Sequence, residues 1–163
     1  MPSVIGDNER IAEIHALGFD KGWSVSEIDS LLQQKEISIL VAREIGGGDK
    51  PVVGFIIFRS KALESASAIL SVAVDPFIHR LGIGSLLIRQ SIRQLQANRI
   101  SQVFLEVDDS NQPAIKMYRK TGFQAVGSRP YYHQYEDSSR ELLKVTALVM
   151  CLDLGPLKVV CEK

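Results

Sequence analysis

Cysteine is scarce in this chain: Cys151 and Cys161 are the only two in 163 residues. At that spacing, with no histidine pair beside them, they fit no common metal site, and free thiols in a reducing cytoplasm are expected. His15, His79 and His133 stand singly, so a metal centre or a histidine-activated nucleophile has no support. Neither sign of charge is in excess, since 19 Lys and Arg offset 19 Asp and Glu. No general affinity for nucleic acid or anionic membrane follows. No run approaches the roughly 18 apolar residues of a membrane span, and the opening MPSVIGDNER has neither a basic leader nor an apolar core. Repeats and low-complexity tracts are lacking too. These absences leave a soluble, cytoplasmic, metal-free protein, expected as one domain over residues 1–154 with a mobile tail over 155–163.

What the sequence does have is a stretch, AILSVAVDPFIHRLGIGSLLIRQSIRQL, running from Ala68 to Leu95. Residues 69–74 are strand-like and stop at Asp75-Pro76, where proline denies a sheet its donor. His79 to Gly84 form a short loop with two glycines. A helix follows, with Leu86, Leu87, Ile88, Ile92 and Leu95 at helical spacing and Arg89, Gln90, Arg93, Gln94 and Gln96 largely on the other face. A strand, a glycine loop and a helix N-terminus in that order bind anions, because unpaired N–H groups and the positive helix end converge there. Phosphate is the expected guest.

The loop lacks what two known phosphate binders need. A Walker A loop requires Lys then Ser or Thr after its second glycine, and Gly84-Ser85-Leu86 has no such lysine. A dinucleotide fingerprint requires a third small residue where Leu87 stands and a first glycine directly after the strand. Here residues 75–81 intervene, although Glu106 falls near that motif's acidic position. A plain strand-to-helix turn that needs two glycines remains as the alternative.

Elsewhere, Asp7 or Asn8 caps a first helix carrying Ile11, Ile14, His15, Leu17 and Gly18, and Ser24 or Ser26 a second carrying Ile28, Leu31 and Leu32. Strands are expected over 37–45 and 52–59, joined by a glycine-rich turn, with a polar connection over 61–67. A further strand spans 102–107, a helix 111–121 stopped by Gly122, and two strands 123–135, interrupted by Pro130, and 142–152. The order is two helices, three strands, helix, strand, helix, two strands.

Three features raise this above a generic α/β domain. Glu106 sits on an otherwise apolar strand, QVFLEV, with Leu105 and Val107 directed to the opposite face. Asp108-Asp109-Ser110-Asn111 supplies a polar cap. The run NQPAIKMYRKTGF joins that cap to a helix, a tyrosine and a Gly-Phe return to strand. Each has a bland counterpart: a surface carboxylate, an ordinary cap, a core tyrosine.

These residues resemble a known family. Ala68 to Gly84, then Phe104-Leu105-Glu106-Val107, Asn111, Tyr118 and Gly122-Phe123, are similar to the acetyl-CoA-dependent N-acetyltransferases of the GNAT superfamily, and within it to the RimI-like ribosomal-protein N-terminal alanine acetyltransferases. The resemblance covers residues 37–152 and, more loosely, Trp23-Ser24. It implies an α/β (α+β) fold: a mixed, mostly antiparallel sheet, flanked by about four helices and splayed at a bulge between two parallel strands, with the cofactor in the gap. It also implies that Val72, Ala73 and Val74 pair with the pantetheine arm of acetyl-CoA and that Arg80, Leu81, Gly82, Ile83, Gly84 and Ser85 hold the pyrophosphate. Asn111 then bonds the pantetheine or adjacent cofactor, and Tyr118 faces the sulfur. Trp23, Arg129, Tyr131, Tyr132 and Tyr135 fall where the family's peptide-binding walls lie. His79 departs from the usual Gln or Arg that opens the loop, and Pro130 from the usual residue at its position.

Thioester aminolysis needs a neutral amine, a stabilised oxygen and a leaving thiol. An α-amino group of pKa about 7.7–8.0 is roughly one-tenth neutral at pH 7, a lysine of about 10.4 far less so. The expectation is that Glu106 acts as general base through a water, Tyr118 as general acid toward the sulfur, and the Val74 amide steadies the oxygen, with a protein N-terminus, of a ribosomal protein, as acceptor partner. Two alternatives stand: a small amine or lysine side chain as acceptor, for which Asp108, Asp109, Glu136 and Asp137 would furnish an acidic pocket, and a non-catalytic acyl-CoA sensor.

Overall fold

A computed structural model describes residues 6–19, 22–46, 50–78, 81–134 and 142–155, without the side chains of 131–134 and 142–144. His79, Arg80, Tyr135, Glu136, Asp137, Cys161 and most of the expected tail lie outside the described residues.

The expected order of elements is present: α1 (Asn8–Gly18), α2 (Val25–Leu32), β1 (Ile37–Arg43), β2 (Val52–Lys61), β3 (Ala66–Val74), α3 (Ile83–Ala97), β4 (Gln102–Asp108), α4 (Gln112–Lys120), β5 (Gln124–Gln134) and β6 (Leu142–Asp153). The strands form one mixed sheet in the order β1-β2-β3-β4-β6-β5. All neighbours are antiparallel except β3 and β4.

Alternation along the strands splits the core in two. Ile39, Val41, Phe55 and Ile57 pack with Ile11, Ile14 and Ile28 from α1 and α2. Ile56, Phe58, Ile69, Val103, Leu105 and Val107 pack with Leu87, Ile88 and Leu95 of α3 and Ile115 and Tyr118 of α4. The sheet is thus a middle layer with a helix pair on each face, the arrangement by which a sheet with two apolar faces is covered.

Several local expectations change. Asp7 holds the N-cap position of α1 without a side-chain cap bond; its carboxylate pairs with Arg43. Leu86 is exposed while Ser91, its Oγ donating to the Ile88 carbonyl at 2.8 Å, is buried. The expected polar connection over 61–67 is a tight turn: β2 runs to Lys61, a 3-10 turn covers Ala62–Glu64, and Ser65 turns left-handed at φ 51°. Pro130 does not interrupt β5, because β5 is an edge strand, where a missing N–H leaves no central ladder broken.

α4 ends in a Schellman turn. Phe123 N–H donates to the Tyr118 carbonyl and Gly122 N–H to that of Arg119, both at 3.1 Å, with Gly122 at φ 106°. The Phe123 ring then meets Tyr118 edge-on at 5.8 Å. A Cβ on Gly122 would lie 3.1 Å from Leu152 Cδ1 in a backbone region L-residues avoid. Gly122→Ala is therefore expected to cost about 1–2 kcal/mol, read as a fall in Tm of roughly 2–4 °C per kcal/mol.

Candidate active site

The site follows from where one ladder stops. β3 and β4 pair in parallel only over Ala66–Gln102, Ser67–Val103 and Ala68–Phe104. Beyond Ala68 the two strands have no register to each other, and β3 continues past a bulge at Leu70, which lies between the Ile57–Ser71 and Phe58–Ile69 pairs of the β2 register. A bulge bends its strand and raises the local twist. The result is a cavity of about 540 Å³ between the two strands. Ile69, Leu70, Ser71 and Val72 line it from β3 and Leu105, Glu106, Val107 and Asp108 from β4; Asn111, Ala114, Met117 and Tyr118 close the α4 side, and Gly18 and Phe19 the α1 side. A strand edge open to such a gap can take an extended ligand as an added strand.

Tyr118 is buried, with 7% of its surface exposed. Desolvation pushes its pKa up to about 12. The phenol therefore stays protonated through the neutral range, a hydrogen-bond donor on the α4 side.

Glu106 stands on the other face. Val103, Leu105 and Val107 are buried in the α3–α4 core, so Glu106, one step out of phase, turns toward the α1 face. It is exposed and pairs with Arg129 of β5 at 2.9 Å. Arg129, expected in a peptide wall, thus touches the candidate base directly.

Asn111 caps α4, its Oδ1 accepting from Ala114 N–H at 3.3 Å; Nδ2 is what it has left to offer a ligand. Its own backbone N–H and those of the preceding turn are ordered by Asp108, whose Oδ1 accepts from the Ser110 N–H and Oγ at 2.9 and 2.6 Å.

Of the glycine loop, Leu81 is exposed, Gly82 is the N-cap of α3 at φ 73°, and Ile83, Gly84 and Ser85 form its first turn. The two glycines serve different needs. Gly82 supplies the left-handed turn, whereas a Cβ on Gly84 would sit 3.0 Å from Met117 Sδ, so Gly84 lets α3 approach α4. Val72 lines the cavity; Ala73 and Val74 lie further along β3. Tyr131 and Tyr132 are on β5 opposite Val145 and Lys144, and their side chains are outside the described residues.

Trp23 is not among the cavity-lining residues. It stacks on His15 with centroids 4.5 Å apart, and Phe19 stacks on the other side at 4.2 Å. The Trp23 N–H donates to His15 Nδ1 at 3.0 Å. His15 therefore clasps the α1–α2 connection, and Phe19, missed in the sequence, is the ring that reaches the cavity. A second tie, with no local sequence signal, joins α1 to the end of β3: Asp75 binds Arg10 of α1 and accepts the Phe77 N–H at 2.9 Å.

A gap in a mixed sheet with an open strand edge, the N-terminus of α4 beside it, and a phenol and a carboxylate among its lining side chains suits an extended ligand with a polar reacting group. The model of the Acetyltransferase (GNAT) family matches residues 8–123, and the chain belongs to that family. It is an N-acetyltransferase. Among relatives, the [ribosomal protein bS18]-alanine N-acetyltransferase of Haemophilus ducreyi is 34% identical over 99 residues, spanning 61% of this chain and 67% of its own. The N-alpha-acetyltransferase of Sulfurisphaera tokodaii is 31% identical over 144 residues, spanning 81% and 84%. The fold matches the ribosomal-protein-S18-alanine N-acetyltransferase from Escherichia coli, with TM-score 0.77, 21% identity and coverage of 99% and 97%. It also matches Arabidopsis thaliana NAA60 in complex with acetyl-CoA, with TM-score 0.75, 18% identity and coverage of 94% and 97%.

His15 generates a prediction with a defined sign. Desolvation lowers its pKa below the usual 6.5, against a smaller opposing pull from Glu27. As pH falls through 6.5 the unfolded chain takes up a proton that the folded chain refuses, so stability falls. His15→Phe keeps a ring in the stack but loses the acceptor for Trp23 N–H. Its Tm is expected below wild type at pH 7, with the deficit narrowing toward pH 5; a constant deficit across that range would rule the account out.

Proposed function

We propose that this enzyme moves an acetyl group from acetyl-CoA to the α-amino group of a protein N-terminus, with a ribosomal protein as acceptor. The observation that carries the reading is the placement of Glu106 and Tyr118 on opposite sides of one gap, in a chain similar along most of its length to an N-alpha-acetyltransferase.

The residues fit acetyl-CoA. The open edge of β3 at Ile69–Val72 suits the pantetheine arm as an added strand, with Val72, Ala73 and Val74 along it. The first turn of α3, with Leu81, Gly82, Ile83, Gly84 and Ser85 at its start, offers N–H groups to the pyrophosphate, and Arg80 precedes it in sequence. Asn111, in the cavity lining with Nδ2 left over from its capping bond, would bond the pantetheine or adjacent cofactor. When bound, acetyl-CoA supplies the acetyl group as a thioester.

The chain's own groups then do three things. Glu106 takes the proton that the amine sheds as its nitrogen bonds to carbon, directly or through water. Tyr118 donates a hydrogen bond to the sulfur as the carbon–sulfur bond breaks. With its pKa near 12 against about 8.5 for an ordinary thiol, the phenol stabilises a departing thiolate by that bond more readily than by giving up its proton. Gly18 and Phe19, whose ring stacks on His15, wall the acceptor side. A carboxylate tied to Arg129 at the rim suits an acceptor already partly neutral at pH 7, which favours an α-amine over lysine. Of the carboxylates that would furnish an acidic pocket for a small cationic amine, Asp108 lines the cavity with its Oδ1 bonded to Ser110, Asp109 is exposed, and Glu136 and Asp137 lie outside the described residues.

Glu106→Gln and Tyr118→Phe are each expected to lower kcat by about 10²-fold or more. With an alanine-starting peptide, kcat/KM should rise from pH 6 to 8 as the amine deprotonates, with no falling limb from Tyr118 below about pH 11. The deciding measurement is CoA-thiol release with that peptide free at its N-terminus and with the same peptide blocked there but keeping its lysines. Release with only the free form supports the reading; release with the blocked form moves the acceptor to lysine, and silence with both to a small amine.

A further inference from the structure

Ser71 is the one buried side chain among the described residues whose polar atom has no hydrogen-bond partner. The residue is 6% exposed. Two other buried serines of this chain are satisfied: Ser67 Oγ donates to the Arg59 carbonyl at 2.6 Å and Ser91 Oγ to that of Ile88 at 2.8 Å. An unsatisfied buried hydroxyl costs stability, and alanine or valine in a strand would avoid that cost. The hydroxyl is therefore either a defect or waiting for a ligand, and its location decides between the two.

Ser71 lines the cavity together with Gly18, Phe19 and Glu106. The bulge at Leu70 sets its direction. Residues paired across an antiparallel ladder share a face, and Ser71 pairs with Ile57, which packs in the α1–α2 core. The ladder pairs on either side of it, Ile69 with Phe58 and Val72 with Ile56, pack in the α3–α4 core, while the bulged Leu70 packs with Ser71's own side. Had β3 run without the extra residue, Leu70 would hold the place opposite Ile57 and Ser71 would turn to the other face. Glu106 also faces α1 by the alternation of β4. The bulge thus brings one hydroxyl and one carboxylate to the same face, on the two strands that flank the opening, under the connection that Phe19 and His15 shape.

We propose that Ser71 Oγ is an acceptor-binding group: it takes a hydrogen bond from the amino group to be acetylated and holds that nitrogen at the gap while Glu106 takes its proton. A neutral primary amine has two N–H bonds and one lone pair, so one hydrogen can be held by Ser71 and the other be lost toward Glu106, leaving the lone pair for the carbonyl carbon. The proposal deepens the reading of the preceding subsection and rests on it for acetyl transfer to an amine.

The test compares wild type, Ser71→Ala and Ser71→Thr, with acetyl-CoA and the free-terminus alanine peptide as probes. Ser71→Ala is expected to lower kcat/KM for the peptide about tenfold, the order of one lost hydrogen bond to a polar substrate, while the dissociation constant of acetyl-CoA stays within twofold. Its Tm without ligands should equal or exceed wild type, because the alanine removes a buried hydroxyl that has no partner. Ser71→Thr, which restores a hydroxyl, should recover most of the lost kcat/KM. A Ser71→Ala enzyme within twofold of wild type on the peptide would overturn the proposal, as would a loss matched by weaker acetyl-CoA binding and a lower Tm, the signature of a merely structural role. If wild type acetylates only lysine or a small amine, the N-terminal reading fails, and the same ratio of variants measured on that amine still decides the role of Ser71.

Discussion

Everything functional in this molecule depends on a parallel ladder that is only three residue pairs long. Ala66–Gln102, Ser67–Val103 and Ala68–Phe104 close it at one end, and the strands then part. Had pairing continued, β3 would spend its hydrogen bonds on β4, Glu106 would sit in the middle of a continuous sheet, and no cavity would separate the two helix pairs. The short ladder is itself held at its closed end by one carbonyl. Ser65, at the left-handed turn out of β2, accepts from Ser101 N–H at 2.8 Å, Gln102 N–H at 3.3 Å and Ser101 Oγ at 3.1 Å. That hub fixes where β4 starts, and hence which β4 residues fall beside the gap.

The opening needs polar chemistry in a layer that is otherwise apolar, and the protein obtains it by phase. On β4, strict alternation sends Leu105 inward and Glu106 toward α1. On β3, the extra residue at Leu70 resets the alternation so that a serine joins the same side. On α4, the Asn111 cap and the Gly122 turn bracket nine residues, so that Tyr118 arrives against Phe123 with its hydroxyl-bearing ring under cover. Burial then raises its pKa. Each of these side chains is held by ordinary backbone devices a few residues away.

Much of this was readable in the sequence, for a physical reason. The order of elements is carried by periodicity and by turn residues, both local, and it emerged as expected. Tyr118 and Glu106 were legible because a polar group on an apolar face is conspicuous in a linear pattern. The bulge at Leu70 was implied only by resemblance, because AILSVAV reads equally well with or without an inserted residue; only the register to β2 settles which side Ser71 takes. Phe19 and His15 went unread as a unit because their stack with Trp23 joins residues four and eight apart across a helix end. The Arg10–Asp75 and Arg129–Glu106 pairs span 65 and 23 residues, beyond any local pattern. Trp23, placed by resemblance in the acceptor wall, stacks on His15 and does not itself line the cavity.

The brevity of the parallel ladder also has a mechanical meaning. The sheet is two three-stranded panels, β1-β2-β3 and β4-β6-β5, joined along one short seam. An extended molecule seated in the gap would act as a brace between the panels, adding the cross-links that the chain itself omits. A guest bound there would stabilise the fold by RT ln(1 + [L]/Kd), and the rigidity of the sheet would then rise with the concentration of that guest.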